Sequence, residues 1–122
     1  MFAREGALVF LPLRERTMKK PNIQVPTAHI AEFCRRWRIT EFALFGSVFR
    51  DDFNSESDVD VLVTFAQDAP WRLFDLGRME DELERIFGRP VDLVSRRGLE
   101  SSPNYLRREA ILSSAEVVHV EG

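Results

Sequence analysis

An α/β or α+β sandwich is the fold class that this sequence predicts, and three observations point to it. Helical apolar spacing alternates with short β-type runs, in an order that reads α-β-α-β-α-β with helices between strands. The β-type runs are dense in Val, Leu and Phe and are bounded by Gly, Asp or Pro. Carboxylates interrupt two of those runs near their beginnings, where a strand would emerge at the rim of a sheet. With 122 residues and 44% apolar content, the chain can build one domain with a three-layer core and needs no metal or disulfide staple.

Residues 1–24 read as an N-terminal arm and 25–122 as the domain. The arm has no sustained period: Ala7–Leu11 could form a short strand, but Pro12, Pro21 and Pro26 break up the rest. Met18 reads as an alternative start, so residues 1–17 are expected to be dispensable. The first 25 residues hold Arg4, Arg14, Arg16, Lys19 and Lys20 against Glu5 and Glu15, a basic arm on a chain whose net charge is −3. That balance argues against broad electrostatic binding to nucleic acid, and a short basic arm is usually solvated. Gly6–Leu13 imitates a signal-peptide core, but Glu5 precedes it and no small-residue cleavage site comes after it. No apolar run approaches the roughly 18 residues that span a membrane. One cysteine, Cys34, excludes an intramolecular disulfide framework and fits a reducing, cytoplasmic setting.

Each element has its own signal. Thr27 is a candidate N-cap for a helix over Ala28–Arg38, where Ile30, Phe33, Cys34 and Trp37 recur at i, i+3, i+4, i+7. On that stripe Cys34 is a small core residue rather than a nucleophile. Glu41–Phe45 is a first strand, stopped by Gly46-Ser47. A polar connection leads to a second strand over Asp58–Phe65, with Val59, Val61, Val63 and Phe65 on one face and Asp58, Asp60, Leu62 and Thr64 on the other. After the turn at Gln67–Pro70, Trp71–Phe87 is the longest helix, with Leu73, Leu76, Met79, Leu83, Ile86 and Phe87 inward. Gly88 stands where a left-handed C-cap is wanted, and Pro90 forbids continuation. Val91–Val94 is a third strand. A last helix over Asn104–Ser114 turns Leu106, Ala110 and Ile111 inward, while Tyr105, Arg107 and Arg108 read as packing and surface. Val117–Val120 closes the chain as an edge strand.

The chemistry concentrates between Phe45 and Val63, with one more contribution from Asp92. Asp58 and Asp60, two apart on a strand, project from one side of the sheet. Like charges that close repel, so a cation between them is the economical inference. If the third strand lies beside the second, Asp92 faces the same cavity, since Val91 and Leu93 need the other face. Three carboxylates without histidine or thiol suit a hard cation, Mg²⁺ or Mn²⁺, whose shell is completed by water and phosphate oxygens. Two such ions are the usual clamp for phosphoryl or nucleotidyl transfer. Gly46 would let a phosphate approach the backbone, and Ser47 would offer it a hydroxyl and N–H groups at the start of a helical turn. Arg50, on the same turn, could neutralise phosphate charge. Plainer readings exist for each: a solvated strand start for Asp58 and Asp60, a turn residue paired with Arg89 or Arg96 for Asp92, a helix cap for Ser47, a surface charge for Arg50. Gly-Ser or Asp-x-Asp alone carries little; their combination ten residues apart outweighs the plainer readings for the carboxylates. His29 and His119 have no ligand spacing.

Gly46-Ser47, ten residues, then Asp58-Val59-Asp60 resembles the signature of the nucleotidyltransferase superfamily with the DNA polymerase β-type palm. More closely, the chain is similar to the minimal nucleotidyltransferase (MNT) domain proteins of prokaryotes. That likeness covers about residues 25–121, including Trp71–Leu76, Val91–Val94 and Tyr105–Glu109. Relatives often carry Arg-Gly after the serine, whereas Arg50 here is followed by Asp51. The resemblance implies a palm, a small mixed sheet flanked by helices. It implies Mg²⁺ at Asp58, Asp60 and Asp92, with Asp92 fit to activate the acceptor hydroxyl, and ATP phosphates held at Gly46 and Ser47. Many members are antitoxins that silence a HEPN-domain ribonuclease toxin by moving AMP onto a toxin tyrosine. The expected function is therefore Mg-dependent AMP transfer from ATP to a HEPN toxin, with no membrane or direct nucleic-acid partner. A binding antitoxin without catalysis and a small-molecule nucleotidyltransferase are the alternatives. The second is the weaker, for lack of a further domain from which to build an acceptor pocket.

Overall fold

The computed structural model describes residues 20–121, and the expectations for Ala7–Leu11 and for dispensable residues 1–17 lie outside them. Its elements are α1 (Thr27–Trp37), β1 (Ile39–Phe45), a 3-10 turn (Gly46–Phe49), β2 (Val59–Phe65), α2 (Leu73–Phe87), β3 (Val91–Ser95), α3 (Arg96–Glu100), α4 (Tyr105–Ser114) and β4 (Glu116–Val120). The four strands form one mixed sheet in the order β3-β2-β1-β4; β1 is antiparallel to β2 and β4, and β2 is parallel to β3. No helix among the described residues is long and apolar enough to cross a membrane.

This corrects the α-β-α-β-α-β order. No helix separates β1 from β2, because the connection is polar and glycine-led, and it doubles back as an antiparallel turn. Two helices, not one, separate β3 from β4. The unforeseen α3 starts where the Ser95 hydroxyl accepts the Gly98 N–H at 3.0 Å, and Leu99 buries it against the sheet.

Thr27 is the first residue of α1 rather than its cap. Pro26 holds the N-cap position, with no side-chain cap, and its carbonyl accepts the Ile30 N–H at 3.0 Å. The stripe of Ile30, Phe33, Cys34 and Trp37 is buried as the period requires. Burial pushes the Cys34 thiol up to about 12, with Glu121 adding to the rise and Arg35 opposing it, so it is no thiolate nucleophile. Arg38 ends α1 in a left-handed conformation (φ 57°), and its carbonyl accepts the Ala66 N–H at 2.8 Å.

Three inward assignments fail. Leu73 is 84% exposed, because α2 begins two residues later than its apolar pattern and Trp71 takes the place of its first turn. The Trp71 indole donates to the Trp37 carbonyl at 2.6 Å and meets the Trp37 ring edge-on. Leu106 is 78% exposed and Ala110 is also exposed, because the short α4 rests on Ile111 alone as a fully buried anchor. The rest of the long stripe holds: Met79 and Leu83 are buried, and Gly88 caps α2 at φ 72°.

The strand alternation sorts the core into two layers. Val59, Val61, Val63 and Val91 face α1 and α2, while Ala43, Phe45 and Leu62 face Leu99 and Ile111 of α3 and α4. Asp60 and Asp92 belong to the second face. The chain just ahead of the domain boundary inferred at position 25 is held as well: Asn22 donates its N–H to the Val48 carbonyl and its side-chain amide to the Arg50 carbonyl, both at 2.8 Å.

Candidate active site

The register of three strands builds the site. Phe45 pairs with Asp60 across β1 and β2, and Asp60 pairs with Asp92 across β2 and β3. Gly46 therefore comes directly after the neighbour of Asp60, and the two aspartates stand abreast on one face. Asp58 lies one residue ahead of β2, exposed at the same rim; Asp60 is half-buried and Asp92 exposed.

Gly46 is required twice over. Its φ is +75°, and a Cβ built there would collide with the Asp60 carboxylate. The backbone thus passes against Asp60 with no room for a side chain. Ser47 then ties the turn to β2: its hydroxyl donates to the Asp58 carbonyl at 3.1 Å, and its backbone favours the charged form of Asp60. The hydroxyl expected to face a phosphate is turned toward the carboxylate strand. The remaining lone pairs of the hydroxyl stay open to a cation or donor.

Burial pushes the Asp60 carboxyl above its ordinary range, and Asp92 and Asp58 add to the rise; the Ser47 backbone and, more weakly, Arg107 pull it down. A half-buried carboxylate crowded by two others is a donor set short of positive charge. Among the described residues no three carboxylate, imidazole or thiol groups are already drawn together as a ligand cluster. Oxygen-only donors on an open rim still fit a hard cation that keeps water and phosphate in its shell, and they fit no thiophilic metal.

The other basic residues are accounted for. Arg50 turns back to Asp52, its Nε and Nη2 each 3.3 Å from a carboxylate oxygen, and it is exposed. That pairing holds the Asp52 carboxyl below its usual range, so Asp52 is not a bare loop charge and Arg50 reaches a phosphate only by leaving it. Neither cation weighed as a partner for Asp92 pairs with it. Arg89 donates to the carbonyls of Asn54 and Ser57 at 3.0 and 3.1 Å and lies over the Phe53 ring, while Arg96 pairs with Glu41 at 3.5 Å. Arg89 thereby anchors the loop that delivers Asp58. No periodic signal marks it, since its partners are backbone carbonyls remote in sequence. Arg107, expected only as a surface charge, acts on Asp60 from α4.

A cleft of about 260 Å³ lies elsewhere, at the opposite end of the sheet between Thr64, Trp71, Ser95 and Arg97. The register, not that cleft, gathers the carboxylates, so the chemistry belongs at the open rim.

Comparisons with known proteins agree with this geometry. A family model described as nucleotidyltransferase domain matches residues 27–118. The protein adenylyltransferase MntA of Thermococcus cleftensis is 39% identical over 75 residues, which span 62% of this chain and 74% of that protein. A solved structure of a provisionally assigned minimal nucleotidyltransferase is 34% identical, with a TM-score of 0.57, covering 73% of this chain and 85% of its own. A tri-AMPylated HEPN toxin of Shewanella oneidensis in complex with its MNT antitoxin gives a TM-score of 0.54 at 20% identity, covering 77% of this chain and 69% of the other. That last likeness speaks for the fold alone.

Proposed function

The chain belongs to the nucleotidyltransferase domain family, and from that premise we propose that it transfers AMP from ATP to a protein hydroxyl, a tyrosine of a cognate HEPN toxin, and so acts as an antitoxin. The observation that carries the reading is the row Gly46, Asp60, Asp92 across three adjacent strands, with Asp58 beside it. The acceptor is inferred from the openness of that rim, which suits a protruding side chain of another protein better than an enclosed small molecule.

The roles follow from that reading. Asp58, Asp60 and Asp92 would hold Mg²⁺, which when bound supplies positive charge to the phosphoryl oxygens. Gly46 admits the triphosphate to the backbone, and the 3-10 turn presents it beside the carboxylates. The acceptor oxygen forms a bond to the α-phosphorus while the bond from that phosphorus to the β-bridging oxygen breaks. Pyrophosphate leaves with the electron pair. The hydroxyl proton passes to Asp92, the exposed carboxylate of the row.

A second reading, neutralisation by binding alone, is favoured by the exposed Leu73, Phe74, Tyr105 and Leu106, apolar side chains that suit a partner surface. One experiment separates the two. The protein and its HEPN partner are incubated with Mg²⁺ and α-labelled ATP, with and without Asp58→Asn/Asp60→Asn. Label that reaches the toxin only with the unsubstituted protein supports transfer. Label that survives the double substitution refutes the assignment, and neutralisation without any label establishes the binding reading.

A further inference from the structure

We infer that Arg107, carried by α4, is a polyphosphate-binding residue of the carboxylate rim. The inference rests on the nucleotidyl-transfer reading and adds to it a side chain from an element outside the Gly-Ser and Asp-x-Asp signature.

Position is the first ground. Residue 107 is four before Ile111, so the two share one stripe of α4, a turn apart. Ile111 is buried in the cluster that contains Phe45 and Leu62. Phe45 is the register partner of Asp60, and Leu62 is its next neighbour on the same strand face. The stripe that carries Arg107 is therefore laid on the carboxylate face of the sheet. The Asn104 side chain accepts the Arg107 N–H at 3.0 Å, which fixes the backbone from which the guanidinium extends.

Availability is the second. Arg107 is exposed and makes no ion pair within 4.0 Å among the described residues, although Asp60 feels its charge. Its pull on Asp60 against Asp58 and Asp92 is felt at longer range. The next residue shows the contrast: Arg108 lies 5.3 Å from the Tyr105 ring centroid and donates to the Ser102 carbonyl at 2.8 Å, a structural commitment. Arg50, Arg89 and Arg96 are engaged likewise. Arg107 is thus a cation on the carboxylate face of the sheet that the described residues leave unbound. A triphosphate approaching a rim with three carboxylates needs such a group, and a guanidinium matches phosphate oxygens through its planar fork.

The test is ATP binding by the full chain with Mg²⁺, followed calorimetrically, with Mg²⁺ binding measured separately. Arg107→Ala is expected to weaken ATP about tenfold, the equivalent of roughly 1.4 kcal/mol. It should leave Mg²⁺ binding and the melting temperature unchanged and raise KM for ATP more than it lowers kcat. Arg107→Lys should restore part of the affinity, and inorganic triphosphate should lose affinity in parallel with ATP. Arg97→Ala, another exposed arginine, should bind ATP like the unsubstituted protein. Unchanged ATP affinity in Arg107→Ala, or an equal loss of Mg²⁺ binding that points to a merely structural role, overturns the inference. Failure of the unsubstituted protein to bind ATP overturns the transfer reading and this one together.

Discussion

The sheet face under α1 and α2 buries fourteen residues in one cluster, whereas the face under α3 and α4 buries five. The first face carries two long amphipathic helices; the second carries one turn and a half of α3 and a helix anchored by Ile111. Since burial of apolar area is the main favourable term in folding, stability belongs to the first face. The second can then leave its rim wet, and only a wet rim tolerates three neighbouring carboxylates without a cation in place. The division extends to the edges. At the β3 edge, Glu80 and Glu84 of α2 accept the N–H groups of Leu93 and Val91 at 2.9 and 3.2 Å, which closes that edge to strand addition.

Substitutions on the two faces should separate these duties, and the largest effect is expected on the thick one. Phe42, fully buried and edge-on to Phe33 at 6.3 Å, should cost about 3–5 kcal/mol of unfolding free energy as Phe42→Ala, measured by urea denaturation. Ile111→Ala should cost less, about 2 kcal/mol, because only a small cluster collapses around the gap. It should nevertheless lower ATP affinity more than Phe42→Ala does in folded protein, since it loosens α4. Equal stability losses at the two positions would break the contrast. Arg89→Ala should cost about 1 kcal/mol through two lost hydrogen bonds, with a raised KM for ATP as the loop before Asp58 loosens.

The smallest effect has the most diagnostic sign. The Asp60 carboxyl is raised in the folded protein, chiefly by burial and then by Asp92 and Asp58. Its contribution to stability is therefore fully present below the unfolded value and is lost as pH rises through the folded one. Asp60→Asn, neutral throughout, should melt slightly higher than the unsubstituted protein at neutral pH in chelator, and this advantage should shrink on acidification. Added Mg²⁺ should stabilise the unsubstituted protein and not the variant. A lower melting point for Asp60→Asn at neutral pH in chelator would mean that Asp60 supports the fold.

The thick face was the legible one. Ile30, Phe33, Cys34 and Trp37, and later Met79 and Leu83, repeat at helical spacing because a large apolar surface must meet them. The valines of β2 alternate for the same reason, and that alternation placed Asp58 and Asp60 on the face opposite them. The thin face obeys no such demand. Leu106 and Ala110 fit an inward stripe, but α4 has too little sheet beneath it to bury them. Leu73 fits the α2 pattern, yet Trp71 occupies its place through a tryptophan contact across 34 residues of chain. In the site, the Gly-Ser and Asp-x-Asp spacing was readable because close approach and paired charge need those residue types. The hydrogen bond of Ser47 toward β2, the loop anchor at Arg89 and the reach of Arg107 depend on tertiary register, which no local pattern encodes.

Asp92 tests most directly the claim that catalysis and stability lie on opposite faces, because it is exposed, joins the row only through the β2–β3 register, and bears the proposed proton-accepting role. The decisive measurement is transfer of label from α-labelled ATP to the proposed HEPN partner by Asp92→Asn, with its unfolding midpoint determined on the same preparation. Loss of transfer on the order of 10³-fold, equivalent to about 4 kcal/mol, with an unshifted midpoint is the predicted result. Transfer at the unsubstituted rate would contradict it.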